Sequence, residues 1–258
     1  MKAIVYTKHG PPEVLQLHEV PIPVPTAQQI LVRVHAASVN ALESRRFSSQ
    51  LQSARPRVPL TVRVLDRLLL HSVGTVIGAD IAGRVEAVGA AVTRFQPGDE
   101  VFGVVTRTAA GFAEYACALE RGLALKPANL SFEQAAAVPV AAVTALQGLR
   151  NAGQIRAGQR VLIQGASGAI GPFAVQLAKA FGAEVTAVCS RQHLDQARAL
   201  GADQVLDYTR VDFTKGAERY DLILAINGYH PIRAYQRVLR PGGTYIMVGG
   251  SLRQGLEG

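Results

Sequence analysis

The chain has 258 residues, 48% of them hydrophobic and 18% charged, enough for one large core or two modest ones. Its net charge of +8 raises nucleic acid as a partner, yet no zinc-finger spacing, RNP-like aromatic motif or lysine-rich tail accompanies it. The densest basic stretch, 45–71, reads as a solvated loop and helix face. Cys117 and Cys189 fit neither a disulfide framework nor a Cys-x-x-Cys zinc site, and the N-terminus lacks a signal-peptide core. The longest apolar stretch, 135–146, is short of a membrane span and contains Pro139. A cytoplasmic protein with no membrane and no nucleic-acid partner is the expectation.

In chain order, the first half predicts short strands at 2–6, 14–20, 29–37, 80–89, 99–105 and 113–119, by alternation or β-branched content. HGPPE, VPIPVP and FQPGDE mark turns between them, a spacing that suggests an irregular β-barrel or sandwich. From Leu130 the texture becomes helical: Ser131 and Gln134 form a capping-box pattern opening a helix near 131–138, and a second helix follows at 141–150. Beyond Arg160 strands at 160–164, 184–189, 204–207, 221–226 and 243–248 alternate with helices at 169–181, 192–200 and 230–239. Apolar strands without strict alternation, joined by helices, predict a parallel sheet covered on both faces. The fold class is therefore α/β, a β-barrel-type domain over 1–125 followed by a doubly wound domain over 126–258.

The most informative stretch is VLIQGASGAIGPFAVQLAKAFGAEVTAVCSR, 161–191. Between a buried strand and an apolar helix, Ala166-x-Gly168-x-x-Gly171 matches the dinucleotide-binding turn, whose small residues let the backbone approach a pyrophosphate facing the helix N-terminus. The next strand ends on Ser190-Arg191, and the first acid afterwards is Asp195. A carboxylate at that strand end would hold the ribose 2′-hydroxyl of NAD, whereas an arginine accommodates the 2′-phosphate of NADP. The expected cofactor is NADP(H).

These motifs together resemble the medium-chain dehydrogenase/reductase superfamily, in its zinc-free quinone oxidoreductase-like branch. MKAIVYTKHGPPEVLQLHEVPIPVP, VIGADIAGRVEAVGAAVTRFQPGDEVFG, AAAVPVAAVTALQGL, the glycine turn, LGADQVLDY and LRPGGTYIMVGG carry the likeness over nearly the whole chain. The resemblance implies a GroES-like catalytic domain, a Rossmann domain, and hydride delivery from NADPH to a quinone, enone or related carbonyl compound. Zinc-dependent relatives place a cysteine where Ser38 stands and a His-Glu pair where Ala79-Asp80 stands, so no metal is expected.

Residue by residue, the resemblance puts Asn40 near the nicotinamide and substrate, its amide available to a carbonyl oxygen, with a turn-fixing asparagine as the competing role. Thr144 matches a threonine near the nicotinamide. Ser167, Gly168, Ala169 and Ile170 fall on the diphosphate, Ser190 and Arg191 on the 2′-phosphate, and Tyr208 beside the adenosine phosphate. Asn227 falls on the nicotinamide ribose, and Gly249 on the nicotinamide half of the cofactor. Asp80 is a candidate for orienting the site or for holding a strand start. The six histidines carry no ligand spacing.

Two departures stand out. The chain ends shortly after its fifth Rossmann strand, where the full order 3-2-1-4-5-6 expects a sixth, so it reads as C-terminally shortened. The segment 47–75, where relatives shape the substrate pocket, matches poorly. An NADPH-binding sensor, or an inactive truncated remnant, is accordingly the alternative function, and a homodimer is the expected assembly if any. A short-chain dehydrogenase is excluded by the absence of a Tyr-x-x-x-Lys pair after the glycine turn.

Overall fold

The computed structural model describes residues 1–6, 11–41, 43, 75–105 and 111–249. The basic stretch 45–71, nearly all of the segment 47–75, and Gly250 lie outside the described residues. Two compact units divide the chain, Met1–Val140 and Ala141–Gly258.

The first unit is built from antiparallel strands. β1 (Lys2–Tyr6), β2 (Leu15–Glu19) and β4 (Thr75–Val76) form a small sheet in the order β2-β1-β4. β3 (Gln29–Ser38), β5 (Asp80–Val88), β6 (Glu100–Val104), β7 (Tyr115–Leu119) and β8 (Leu123–Leu125) form a second, in the order β7-β3-β5-β6-β8. Its apolar face is closed by Ile30, Val32, Ile81, Val85, Val101 and Ala116, all buried. In the β3–β5 register Ser38 stands opposite Asp80, so the end of one strand and the start of the other bring two polar side chains together.

α1 (Phe132–Ala136) opens on the expected capping box: Ser131 Oγ accepts the Gln134 N–H at 3.2 Å, and Gln134 Oε1 accepts the Ser131 N–H at 2.9 Å. Pro139 then starts α2 (Pro139–Leu146), since a proline is tolerated in a first turn and not inside a helix. A π-helical turn, Gln147–Ala152, continues from it, closed by the Gly153 N–H onto the Gly148 carbonyl at 2.8 Å.

The second unit is a five-stranded parallel sheet of β9 (Arg160–Gln164), β10 (Glu184–Cys189), β11 (Gln204–Asp207), β12 (Tyr220–Ile226) and β13 (Leu239–Val248). Its order, β11-β10-β9-β12-β13, is the doubly wound 3-2-1-4-5. α3 (Gly171–Ala180) and α4 (Leu194–Ala199) cover one face, and α5 (Ile232–Val238) the other. Strand β12 shows why alternation fails here: Leu222, Leu224 and Ile226 enter one core, Ile223 and Ala225 the other, so every position from 222 to 226 is apolar. All five strands run the same way, and their C-terminal ends form a single edge.

Candidate functional site

At that edge β9 runs into the glycine turn. Gly165 takes φ +77°, and the Gly165 and Ala166 amides both reach the Val188 carbonyl at 3.1 Å, which ties the turn to the end of β10. Gly171, the first residue of α3, packs so tightly that a Cβ there would lie 2.4 Å from the Ala166 carbonyl and from Gly165 O. Gly168 differs: a Cβ would meet only Gly165 O, at 3.6 Å, and both Gly168 and Ala169 are exposed. The helix start has no side-chain cap and no acid in its first turn. Orphan amides of a ten-residue helix, beside a bare and exposed backbone, fit a diphosphate. Ser167 and Ile170 flank this backbone, each half-buried.

Next to the turn, β10 leads through Ser190 into a single 3-10 turn, Arg191–His193. Cys189 pairs with Asp207 across β10–β11, and the Tyr208 N–H donates to the Cys189 carbonyl at 3.2 Å. Ser190-Arg191 and Tyr208 therefore leave adjacent strands side by side. Arg191 is exposed, and the Tyr208 ring is 48% exposed, edge-on to Tyr229 with centroids 6.4 Å apart.

Sequence reasoning passed over Asp207 and Arg210. Asp207 is buried, and bonds from the Thr209 hydroxyl (2.7 Å) and amide (3.0 Å) hold its carboxyl below the usual range, assisted by Arg210 and Arg191. Among the described residues its Oδ2 has no hydrogen-bond partner, and Arg210 Nε stands 3.9 Å away. Two guanidinium groups thus share the field of one carboxylate beside Ser190. Arg210, two residues after Tyr208, was findable from spacing alone; the unpartnered Asp207 oxygen was not.

On the other side of β9, Asn227 directly follows β12 in the left-handed region at φ +51°, a conformation asparagine tolerates better than most residues, and its N–H donates to Val248 O at 2.9 Å. Gly249 follows β13 at φ +69°, and a Cβ there would lie 2.7 Å from Asn227 Oδ1. The structure thus gathers Ser167–Ile170, Ser190, Arg191, Tyr208, Asn227 and Gly249 on one sheet edge, where doubly wound folds bind ligands. Thr144 sits half-buried on α2.

Asn40 belongs to the first unit. Its Nδ2 lies 3.2 Å from Ser38 Oγ and 3.1 Å from Asp80 Oδ2, and the Ser38 hydroxyl donates to the same Asp80 oxygen at 3.0 Å. The Val140 N–H, in the first turn of α2, reaches both Asp80 oxygens at 3.2 Å. Asp80 is fully buried, and burial, with a smaller contribution from Glu43, pushes its carboxyl up against these bonds. Glu43, also buried, accepts the Asn40 N–H at 2.7 Å and the Ala79 N–H at 3.0 Å. Among the described residues no group of three or more His, Cys, Asp or Glu side chains is placed to hold a metal ion.

Residues 26–148 match the alcohol dehydrogenase GroES-like domain, and residues 169–257 the zinc-binding dehydrogenase domain. A quinone oxidoreductase of Sus scrofa is 34% identical over 96% of this chain and 73% of its own length. A 2-methylene-furan-3-one reductase of Solanum lycopersicum is 33% identical over 98% of this chain, which spans only 63% of that protein. Among solved structures, the Escherichia coli quinone oxidoreductase complexed with NADPH superposes with a TM-score of 0.81 at 26% identity, over 97% of this chain and 73% of that one.

Proposed function

We propose that this chain, which belongs to the quinone oxidoreductase-like branch of the medium-chain dehydrogenase/reductase superfamily, transfers a hydride from NADPH to a quinone, an enone or a related carbonyl compound without zinc. The observation that carries the reading is the joined edge of β9, β10 and β11: a bare glycine turn at a helix N-terminus beside a strand, β10, that leads into Ser190-Arg191 with no carboxylate of its own at its end. The names of the relatives, quinone oxidoreductase and furanone reductase, support the substrate class.

Bound NADPH supplies the hydride, two electrons and one proton, and a second proton from solvent completes the hydroquinone or saturated ketone. The chain's own part is binding and orientation. Amides of Ser167–Ile170 and the start of α3 take the diphosphate, and Gly168 keeps a side chain out of its way. The Ser190 hydroxyl and the Arg191 guanidinium take the 2′-phosphate, and Tyr208 lies against the adenosine side. Asn227 and Gly249 fall to the nicotinamide ribose, Thr144 to the nicotinamide, and Asn40 to the substrate carbonyl. Ser38 and Ala79 stand where zinc-dependent relatives place a cysteine and a histidine ligand, and the Ser38 hydroxyl is given to Asp80 instead. A cytoplasmic location and homodimeric assembly complete the proposal.

The test is steady oxidation of NADPH by the purified chain with p-benzoquinone. Turnover that disappears in Gly168→Asp, with the fold intact by circular dichroism, supports the reading; absence of turnover in the parent chain refutes it.

A further inference from the structure

Two buried carboxylates in the first unit converge on one half-buried asparagine. Glu43 takes the backbone N–H of Asn40, and Asp80 takes its side-chain amide together with the Ser38 hydroxyl. Burying a carboxylate is costly unless donors surround it, so two of them bonded to Asn40 call for an account. Fixing a turn does not supply it for the side chain. An asparagine that stabilises a turn bonds its own neighbouring backbone. Here Glu43 performs that task through the Asn40 amide, while the recorded bonds of the Asn40 side chain, among the described residues, run to side chains.

The polarity of the amide follows from its partners. Asp80 receives Ser38 Oγ–H, Asn40 Nδ2 and the Val140 N–H, a set of donors that serves an ionised, acceptor-only carboxylate. Turning the Asn40 amide over would set its oxygen against an Asp80 oxygen. The Nδ2 end therefore faces inward. The distances Nδ2–Oγ, Nδ2–Oδ2 and Oγ–Oδ2 are 3.2, 3.1 and 3.0 Å, a nearly equilateral triangle in which the two acceptors subtend about 60° at Nδ2. The two hydrogens of a planar amide nitrogen stand about 120° apart. One hydrogen aimed between Ser38 and Asp80 would serve both acceptors and leave the second clear of them.

We propose that Asp80 is a positioning residue: with Ser38 it grips one Asn40 N–H so that the second is held, pre-aimed, as the donor to the carbonyl oxygen of the substrate. This rests on the quinone or enone reading above and adds to it the device that sets the donor. As a quinone or enone accepts the hydride, negative charge grows on its oxygen, and a donor already fixed in place strengthens toward that charge without reorganising. Asp80 touches no substrate; it acts through Asn40.

Polarity exchange separates this from a structural role. In Asn40→Asp/Asp80→Asn the pair can bond again, now with the donor at 80, and position 40 has no N–H to offer. The parent, Asp80→Asn, Asn40→Leu and the double variant are compared for thermal stability and for kcat and KM with p-benzoquinone and NADPH. The expectation is that the double variant regains the thermal stability lost in Asp80→Asn while kcat stays about 10–100-fold below the parent, as in Asn40→Leu, with KM changing less. Recovery of kcat together with stability overturns the proposal.

A second reading needs no turnover. In the 15N-resolved side-chain amide spectrum of the parent, one Asn40 proton is slow to exchange and the other exchanges with solvent, and p-benzoquinone shifts the exchanging one. Two equally protected protons, or no response to the quinone, also overturn it. A parent that shows the response yet oxidises no NADPH sinks the hydride-transfer reading and leaves the positioning of Asn40 standing.

Discussion

Gly171 and Gly168 lie three residues apart in one turn, and the structure assigns them opposite vulnerabilities. In Gly171→Ala the new Cβ would sit 2.4 Å from the Ala166 carbonyl carbon and oxygen and from Gly165 O, all of them backbone. Backbone cannot swing aside as a side-chain tip does, so α3 must shift against β9. Overpacking of this kind costs about 1–3 kcal/mol, or roughly 2–10 °C in Tm for a chain of this size. In Gly168→Ala the Cβ has only Gly165 O near it, at an ordinary 3.6 Å, so stability should stay within about 0.5 kcal/mol of the parent. That methyl group instead projects from the exposed backbone where a diphosphate would lie, and NADPH affinity should fall by about tenfold or more, some 1.4 kcal/mol. Differential scanning fluorimetry gives the Tm values and isothermal titration the affinities. A Gly171→Ala protein as stable as its parent, or a Gly168→Ala protein that binds NADPH normally, would refute the division between packing and ligand approach.

Other outcomes follow from neighbouring residues. Arg191→Ala removes one charge-assisted partner of the 2′-phosphate and should weaken NADPH by about 10–100-fold while leaving NADH unchanged, as read by titration of both. Arg210→Ala should lower NADPH affinity in the same selective sense, since its guanidinium stands beside the same strand ends; equal loss for NADH would refute that placement. Tyr235→Phe removes the 2.5 Å bond from the Tyr235 hydroxyl to the buried Gln164 Oε1, a residue whose Nε2 has no partner among the described residues, so thermal unfolding should reveal a loss of about 1–3 kcal/mol. Burial opposes ionisation of Asp203, yet the Lys179 ammonium at 2.8 Å and the Val185 N–H hold its carboxyl below the ordinary range. Its contribution to stability is therefore complete above the ordinary carboxylate range and is lost as pH falls below that range through the lowered folded-state pKa, and Asp203→Asn should flatten the acid limb of a Tm–pH curve.

Much of the second unit was legible because its signals are local. The glycine turn sits between an apolar strand and an apolar helix, and the five strand positions predicted from Arg160 onward each found a strand. The capping box at Ser131 and Gln134 was equally direct. Other features depend on partners distant in sequence. β4 and β8 are two and three residues long, too short to show a period, and exist because β1 and β6 offer them edges. β13 extends back through Pro241-Gly242-Gly243, which reads as a turn; its register jumps from Leu239 opposite Tyr220 to Thr244 opposite Leu222, so that stretch bulges, with Gly242 at φ +77°.

The helix predicted at 141–150 ends in a π turn. Gly148 and Gly153 let it lie close to Leu224, Leu222 and Ile246, an approach that no pattern within 141–153 announces. In the site, the sequence pointed to Asn40 and left Asp80 between two roles. What joins them to Ser38 and Glu43 is the β3–β5 register and a short turn, which residue types alone do not specify.

The most direct test of the account is a thermal-shift titration of the 258-residue chain with NADPH and NADH in parallel, since a ligand that binds only the folded state raises its apparent stability by mass action. The account predicts stabilisation by NADPH at concentrations about tenfold or more below those at which NADH acts, with the difference removed in Arg191→Ala. Equal response to both cofactors, or to neither by a folded sample, contradicts it.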